Sequence, residues 1–278
     1  MNQTTINKIQ FINKYRIKRQ EQTKKKFISD NIKKYIEIRK KLSIRYPIKE
    51  IYNSVIPFKI FQTWHTKNLT FSMFQSINMI IQNNPKFKYY LFDDNNCREF
   101  IQKNYNSSVL DAFDTLIPGA YKADLWRYCV LYKEGGIYLD IKYRPINNFN
   151  LINLTEKEHW VLDADGDGIY NALIVVKPGN NVIKRAIDQV VENVQKRYYG
   201  NSQLEPTGPK MLSPFFSYEQ KKQFDMKHEF YFGDLNNRVI NFNNIPVFKS
   251  YNGYLDDHNK AKKTEYYGVL WSQRRIYN

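Results

Sequence analysis

The chain has 278 residues, of which 42% are hydrophobic and 16% aromatic, so a wholly disordered protein is excluded. Its longest apolar runs, such as residues 172–176, span about five residues, whereas a membrane-spanning helix needs about 20. We therefore expect no transmembrane segment and, because no apolar stretch follows the early lysines, no cleaved secretory signal. The two cysteines, Cys97 and Cys129, are too few for a disulfide framework or a four-cysteine zinc site.

Positive charge is concentrated at the start of the chain. The net charge is +16, and residues 1–50 hold 15 Lys or Arg against 4 Asp or Glu, while residues 51–278 hold 28 against 23. Residues 51–278 are only mildly basic. Positive charge therefore indicates an acidic partner for the first 50 residues alone. By default we expect a soluble, cytoplasmic protein, and peripheral membrane contact through the basic segment stays open.

Residues 1–50 are predicted to form a basic helical arm, followed by a second domain at residues 51–278. Apolar side chains recur at helical spacing from Ile6 to Ile38, which predicts one or two helices, with Ser29 as the cap of a second. A basic amphipathic helix can contact an acidic surface, whether membrane, nucleic acid or protein. The alternative is a helix packed on the body with its lysines in water.

The second domain alternates between short apolar runs typical of strands and longer segments with helical spacing. Strands are predicted at residues 56–64, 87–92, 137–144, 160–163 and 172–176, and helices at 70–83, 97–103, 121–134 and 182–198. This alternation predicts an α/β fold with a mainly parallel sheet. The C-terminal 70 residues are aromatic and show no clear pattern.

The helix at 121–134 carries an acid and a guanidinium on one face. Asp124 and Arg127 are spaced i and i+3, so their side chains are neighbours. A carboxylate beside a guanidinium supplies both hydrogen-bond acceptors and donors, which suits a polyhydroxylated ligand. The alternative is a structural ion pair near the start of a helix.

The predicted strand at 137–144 carries a second polar group. A period of two places Tyr138, Asp140, Lys142 and Arg144 on one face, with apolar side chains on the other. Ligands of open α/β sheets bind at the carboxyl ends of strands, where a carboxylate can hold a divalent metal on a diphosphate and a cation can offset phosphate charge. The alternative is an edge strand with a polar outer face.

Taken together, these segments resemble the DXD-motif sugar transferases of glycosyltransferase family 32. That family includes fungal mannosyltransferases and capsular polysaccharide synthesis proteins, and it is distantly similar to the catalytic domain of the glucosylating toxins. The resemblance covers roughly residues 55–275. It is carried by residues 56–64, 84–85, 123–128 and 135–140, and more weakly by residues 171–172, 178–179, 207–209 and Trp271.

The resemblance implies a GT-A fold, a Rossmann-like domain that binds a nucleotide-sugar. It implies transfer of a sugar from a UDP- or GDP-sugar to a glycan or other hydroxyl acceptor, with retention of anomeric configuration. Asp140, Asp124 and Arg127 would be catalytic. The donor would be contacted by Phe61, Gln62, Thr63, Asp124, Arg127, Tyr138, Leu139, Asp140, Lys142, Asn171 and Trp271, the last on a C-terminal flap.

The sequence departs from the family at the metal site. A Mn²⁺ or Mg²⁺ ion would be held by Asp140, but the second aspartate of the motif is Lys142 here. Either Asp140 and C-terminal residues such as His258 hold the metal, with Lys142 on a phosphate, or Lys142 replaces part of the metal's charge, or the protein is an inactive relative. Residues 163–168 look like an EF-hand start, but Ile174 stands where the bidentate glutamate belongs, so calcium binding is rejected.

The sequence therefore predicts a glycosyltransferase with a basic arm. Two other classes stay open: a catalytically inactive module that binds nucleotide-sugars or glycans, and a nucleic-acid-binding protein that acts through residues 1–50. The sequence does not identify the donor sugar, its base or the acceptor.

Overall fold

The computed structural model describes residues 3–231, 237–261 and 263–278, with side chains from Arg19 onward. The chain divides after Ile44 into two units. The boundary predicted at residue 50 stays a prediction.

The first unit contains one long helix, α1 (Gln3–Lys41), so the predicted break at Ser29 does not occur. Its last turn carries Arg39, Lys40 and Lys41, where positive charge complements the helix dipole. Both apolar and basic side chains are exposed along the described part of α1: Phe27 is 68% accessible and Ile32 54%. The partner of this arm stays a prediction. Within the described residues no helix combines the length and the apolar character needed to cross a bilayer.

The second unit contains two sheets. Its strands are β1 (Lys59–Thr63), β2 (Lys88–Phe92), β3 (Gly136–Leu139), β4 (Tyr143–Pro145), β5 (Val161–Leu162), β6 (Leu173–Val176), β7 (Met226–Phe230), β8 (Arg238–Phe242) and β9 (Ile245–Ser250). The first sheet has the order β2-β1-β3-β6, in which β2, β1 and β3 are parallel and β6 is antiparallel. The second has the order β4-β9-β8-β7-β5 and is antiparallel except for the β5–β7 pair. The α/β class is confirmed, but the sheets are mixed rather than mainly parallel.

The helices of the second unit connect and cover these strands. They are α2 (Phe71–Asn83), α3 (Asp94–Asn104), α4 (Ser107–Thr115), α5 (Gly119–Glu134), α6 (Asn181–Gln195), α7 (Pro209–Leu212), α8 (Tyr218–Lys222), α9 (Tyr254–Ala261) and α10 (Tyr267–Ser272), with 3₁₀ turns at Leu151–Leu154 and Ser213–Phe215. Thr70 and Asp93 cap α2 and α3 by accepting hydrogen bonds from backbone N–H groups of the first turn.

The predicted strand at 137–144 is two strands joined by a turn, which corrects the sequence prediction. The Asp140 N–H donates to the Ala172 carbonyl at 2.8 Å, and the Tyr143 N–H donates back to the Asp140 carbonyl at 3.0 Å. This second bond reverses the chain, so β4 joins the other sheet. Asp140 and Lys142 consequently lie in the turn beyond β3 rather than at alternate positions of one strand.

The core lies on both faces of the first sheet. On β3, the Tyr138 side chain packs with the cluster that contains α3 to α6, while Ile137 and Leu139 pack with residues of the second sheet. This three-layer arrangement buries β3 completely. Gly136 has φ of +110°, and a Cβ there would lie 2.7 Å from the Lys59 carbonyl oxygen, so only glycine fits where α5 leads into β3.

Candidate functional site

The acid and guanidinium of α5 converge with the carboxylate beyond β3. The Arg127 guanidinium lies 3.3 Å from Asp124 and 3.5 Å from Asp140, measured between nitrogen and carboxylate oxygen. The Asp124 and Arg127 residues are 8% and 6% exposed, so this is a buried charge cluster rather than a surface ion pair. The predicted convergence of these three side chains is therefore present in the structure.

Each charge in this cluster is held by further contacts. Asn171 donates from its side-chain amide to Asp124 Oδ1 at 2.9 Å, and its carbonyl accepts from Arg127 at 2.8 Å. The Thr207 hydroxyl donates to Asp124 Oδ2 at 2.7 Å. The Arg127 guanidinium also lies 4.3 Å above the centre of the Tyr138 ring. These contacts fix Arg127 as a bridge that positions the two carboxylates.

Asp140 is surrounded by donors. Its Oδ1 accepts from the Tyr138 hydroxyl at 2.7 Å, and its Oδ2 accepts from the Lys142 ammonium at 2.5 Å. Asp140 is more accessible than Asp124, with 18% of its side chain exposed against 11%. Each carboxylate keeps unused acceptor capacity on Oδ2, because an ionised carboxylate oxygen has two lone pairs and the described residues place one donor on each.

The two carboxylates differ in their proton affinity. Burial raises the pKa of Asp124 to about 6, although Arg127 and Thr207 favour the charged form. Burial acts in the same direction on Asp140, but the charges of Lys142 and Arg127 outweigh it and lower the pKa of Asp140. Near neutral pH, Asp140 is firmly ionised while Asp124 is close to its titration range.

Side chains of the second sheet complete the surroundings of Lys142, and sequence reasoning did not find them. The Lys142 ammonium lies 5.4 Å from the centre of the Tyr170 ring. The His228 ring stacks on Tyr170 at 3.8 Å and bonds through Nδ1 to Asp163 at 2.8 Å. Arg238 lies at the start of β8, which pairs with β7, the strand of His228, and with β9.

The side chains predicted to face the nucleotide base make contacts with other residues of the fold. Phe61 is 2% exposed and stacks on Tyr90 at 5.2 Å. Gln62 is fully buried and donates to the Leu139 carbonyl at 2.9 Å. The Thr63 hydroxyl donates to the Phe92 carbonyl at 2.9 Å. No contact of these side chains points to a ligand, and their role in base binding stays a prediction.

The two C-terminal residues predicted for the site, Trp271 and His258, have contacts within the fold, and their roles at the site stay predictions. The Trp271 indole N–H on α10 donates to the Tyr199 carbonyl at 2.7 Å, which anchors it to the body. His258 on α9 lies 5.8 Å from the Trp64 ring and 5.7 Å from the Tyr254 ring, measured between centroids. Tyr254, also on α9, packs edge-to-face on Tyr251 at 5.6 Å, and the Tyr251 N–H donates to the Lys142 carbonyl at 3.0 Å.

The described residues do not fit a divalent metal at Asp140. A metal needs several anionic or neutral oxygen or nitrogen ligands, and an ammonium cannot be one of them. Here the second position of the motif is the Lys142 ammonium, which places a positive charge against Asp140 Oδ2 where a second carboxylate would be needed. Within residues 19–231, 237–261 and 263–278, no group of three His, Cys, Asp or Glu side chains is arranged to bind a metal. The predicted roles of Asp140 and His258 as metal ligands therefore lack a ligand set.

The acidic loop at 163–168 is neutralised by lysines. Lys210 pairs with Asp165 at 2.5 Å and with Asp167 at 3.1 Å, and Lys221 pairs with Asp167 at 2.8 Å. Ile174 lies inside β6, where an EF-hand would need a helix. Both observations agree with the rejection of calcium binding by this loop.

Comparison with known proteins finds a family similarity in the segment that carries this site. Residues 70–159, which include Asp124, Arg127 and Asp140, match the family model of the glycosyltransferase sugar-binding region containing the DXD motif. Over this segment the chain is similar to the DXD-motif glycosyltransferases. The resemblance predicted from the sequence is thus confirmed.

Two similar relatives come from Schizosaccharomyces pombe. Inositol phosphoceramide mannosyltransferase 3 is 31% identical over 60% of this chain and 48% of its own length. Inositol phosphoceramide mannosyltransferase 2 is 28% identical over 80% of this chain and 63% of its own length. The chain therefore spans about half to two thirds of these relatives. A solved structure of the PaToxG glycosyltransferase aligns with a TM-score of 0.44 at 19% identity, over 57% of this chain and 67% of that one.

Proposed function

We propose that the protein is a glycosyltransferase that moves a hexose, with mannose as the first candidate, from a nucleotide-sugar to a hydroxyl acceptor. The observation that carries this proposal is the buried cluster of Asp124, Arg127 and Asp140 at the end of β3. Mannose is the first candidate sugar because two relatives are named mannosyltransferases. A GT-A arrangement and retention of the anomeric configuration belong to the same proposal.

The two carboxylates would divide the work of binding the donor. Asp140, the more accessible of the two, would accept a hydrogen bond from a donor hydroxyl through Oδ2. Asp124 would accept from a hydroxyl of the sugar ring through its own Oδ2, beside Gly208, where a Cβ would lie 3.5 Å away. Arg127 is a positioning residue in this scheme, because its hydrogen bonds go to the protein.

Transfer breaks the bond between the anomeric carbon and the diphosphate and forms one to the acceptor oxygen, whose proton passes to the released diphosphate. Fixed hydroxyl contacts would hold the sugar in the reacting geometry, which lowers the entropic part of the barrier. Burial of the cluster strengthens each of these contacts relative to water.

The proposal is tested with the full chain and a panel of UDP- and GDP-sugars. A bound donor is expected to raise the melting temperature by mass action, and the donor that does so should be turned over when a hydroxyl acceptor is supplied. Inositol phosphoceramide and a mannose-containing glycan are the first acceptors to include, because of the relatives' names. Stabilisation without release of nucleoside diphosphate would favour an inactive binding module, and no stabilisation by any donor would contradict the proposal.

We expect donor affinity to fall as the pH is lowered through about 6, because burial raises the pKa of Asp124 to that value. Protonation removes an acceptor, so affinity should drop about tenfold for each pH unit below the pKa. Asp140 stays ionised over this range, since Lys142 and Arg127 lower its pKa. Calorimetric titration of the donor between pH 5 and 8 measures the effect. An Asp124→Asn variant should bind the donor more weakly, but its affinity should not fall further as the pH is lowered. If its affinity still falls with pH as in the wild type, Asp124 is not the cause of that fall.

A further inference from the structure

Two basic side chains of different sheets meet beside Asp140, outside the acid–guanidinium cluster. Lys142 lies in the turn beyond β3, and Arg238 begins β8 in the second sheet, where it pairs in register with Phe230. β9 pairs both with β8 and with β4, the strand that begins directly after Lys142. The Tyr170 ring lies 5.4 Å from the Lys142 ammonium and stacks at 3.8 Å on His228 of β7, the strand beside Arg238, so the two cations border the same region. Like charges repel, so two neighbouring cations lower the stability of the fold unless a negative charge compensates them.

Among the described residues the counter-charge is incomplete. Lys142 has Asp140 at 2.5 Å, whereas Arg238 forms no ion pair with a carboxylate of the described chain. The Nε–H of Arg238 is buried and has no hydrogen-bond partner there. A buried donor on a charged group lowers stability when it has no acceptor. We therefore expect the Arg238 Nε–H to bind an acceptor that the described residues do not supply.

The surroundings suit an oxyanion. The Tyr170 ring lies 5.4 Å from the Lys142 ammonium, and its hydroxyl shares a hydrogen bond with the Tyr143 hydroxyl at 2.9 Å. The His228 ring that stacks on Tyr170 has no partner for Nε2 among the described residues, while its Nδ1 is held by Asp163. Guanidinium and ammonium groups beside phenol hydroxyls bind phosphate oxygens by charge-assisted hydrogen bonds.

We infer that Lys142 and Arg238 bind the diphosphate of the nucleotide-sugar and supply the positive charge that a divalent metal would otherwise provide. The inference rests on the proposed function and names the groups that hold the leaving part of its substrate. When the diphosphate departs, it gains negative charge, and two fixed cations stabilise that charge without a metal ion. The position of Lys142 at the second site of the motif agrees with this, because its ammonium occupies Asp140 Oδ2.

The test uses inorganic pyrophosphate, GDP and UDP as probes, titrated calorimetrically into the full chain in buffer with EDTA and then with Mn²⁺. We expect at least one probe to bind in EDTA, with no gain in affinity on adding Mn²⁺. Arg238→Met should weaken that binding about 10- to 100-fold, as expected for loss of a hydrogen-bonded charge. Arg238→Lys should restore part of it. Binding that requires Mn²⁺, or that is unchanged in Arg238→Met, would overturn the inference.

Lys227→Met is the matched control, since Lys227 lies on β7 next to His228 but its side chain is exposed. It should bind the probes as the wild type does. Lys142→Arg serves as a second variant that keeps the charge beside Asp140 and should retain binding in EDTA. If a nucleotide-sugar is turned over but only with Mn²⁺, the inference fails and the proposed function stands. If pyrophosphate binds in EDTA and no nucleotide-sugar binds, the proposed function fails instead.

Discussion

Asp140→Asn is expected to lower the turnover number about 100- to 1,000-fold, the range seen when one oriented electrostatic group is lost from a site. Asparagine keeps the size and one oxygen but loses the charge that faces Lys142 and Arg127. The site would then hold two cations with less counter-charge, and the donor hydroxyl would lose its strongest acceptor. Steady-state release of nucleoside diphosphate measures the effect.

Stability must be followed in the same variant, because Asp140 is partly buried. We expect a loss of about 1–3 kcal/mol in the free energy of unfolding, which is the cost of weakening hydrogen bonds to buried charged groups. Asp188→Asn is the matched control: Asp188 pairs with Lys184 on the surface of α6, with 60% of its side chain exposed. That control should keep full activity and stability. Wild-type turnover in Asp140→Asn would remove Asp140 from the mechanism.

Trp126→Ala is expected to reduce the free energy of unfolding by about 3–5 kcal/mol, the usual cost of removing a large buried aromatic side chain. Trp126 is fully buried on α5, next to Arg127, and its ring lies 4.8 Å from Phe92 and 6.2 Å from Tyr138. Removing it opens a cavity behind the ring that supports the Arg127 guanidinium. Guanidinium chloride denaturation measures the change.

Trp126→Phe separates packing from hydrogen bonding. The indole N–H of Trp126 is buried and has no partner among the described residues, so phenylalanine loses area but also removes an unpaired donor. We expect a loss of about 1 kcal/mol, well below that of the alanine variant. Equal losses in the two variants would contradict the packing argument.

The parts of the site that depend on local spacing were predictable from the sequence. Asp124 and Arg127 are three residues apart on a helix, and helix geometry alone makes them neighbours. The apolar run after two glycines also indicated a strand that carries Asp140, although that strand ends at Leu139, earlier than predicted. Together with the family pattern, these features gave the cluster that the structure contains.

The parts that depend on tertiary contacts were not predictable. Alternation of apolar and polar residues continues past Leu139, so the sequence carries no sign of the turn that sends β4 into the other sheet. Arg238 lies in the same region as Lys142 only because the pairing of β8 with β7 and β9 fixes its position in the second sheet. Gln62 belongs to a segment that resembles the family and was predicted to contact the donor. In the structure its side-chain amide donates to the Leu139 carbonyl.

Calorimetric titration of the stabilising nucleotide-sugar into the wild type, Asp124→Asn, Asp140→Asn and the double variant tests the central claim most directly. If both carboxylates bind one donor molecule, one site per chain is expected, each single variant should lose about tenfold or more in affinity, and the two losses should not add. Full affinity in either single variant, or losses that are strictly additive, would contradict a shared site at the end of β3.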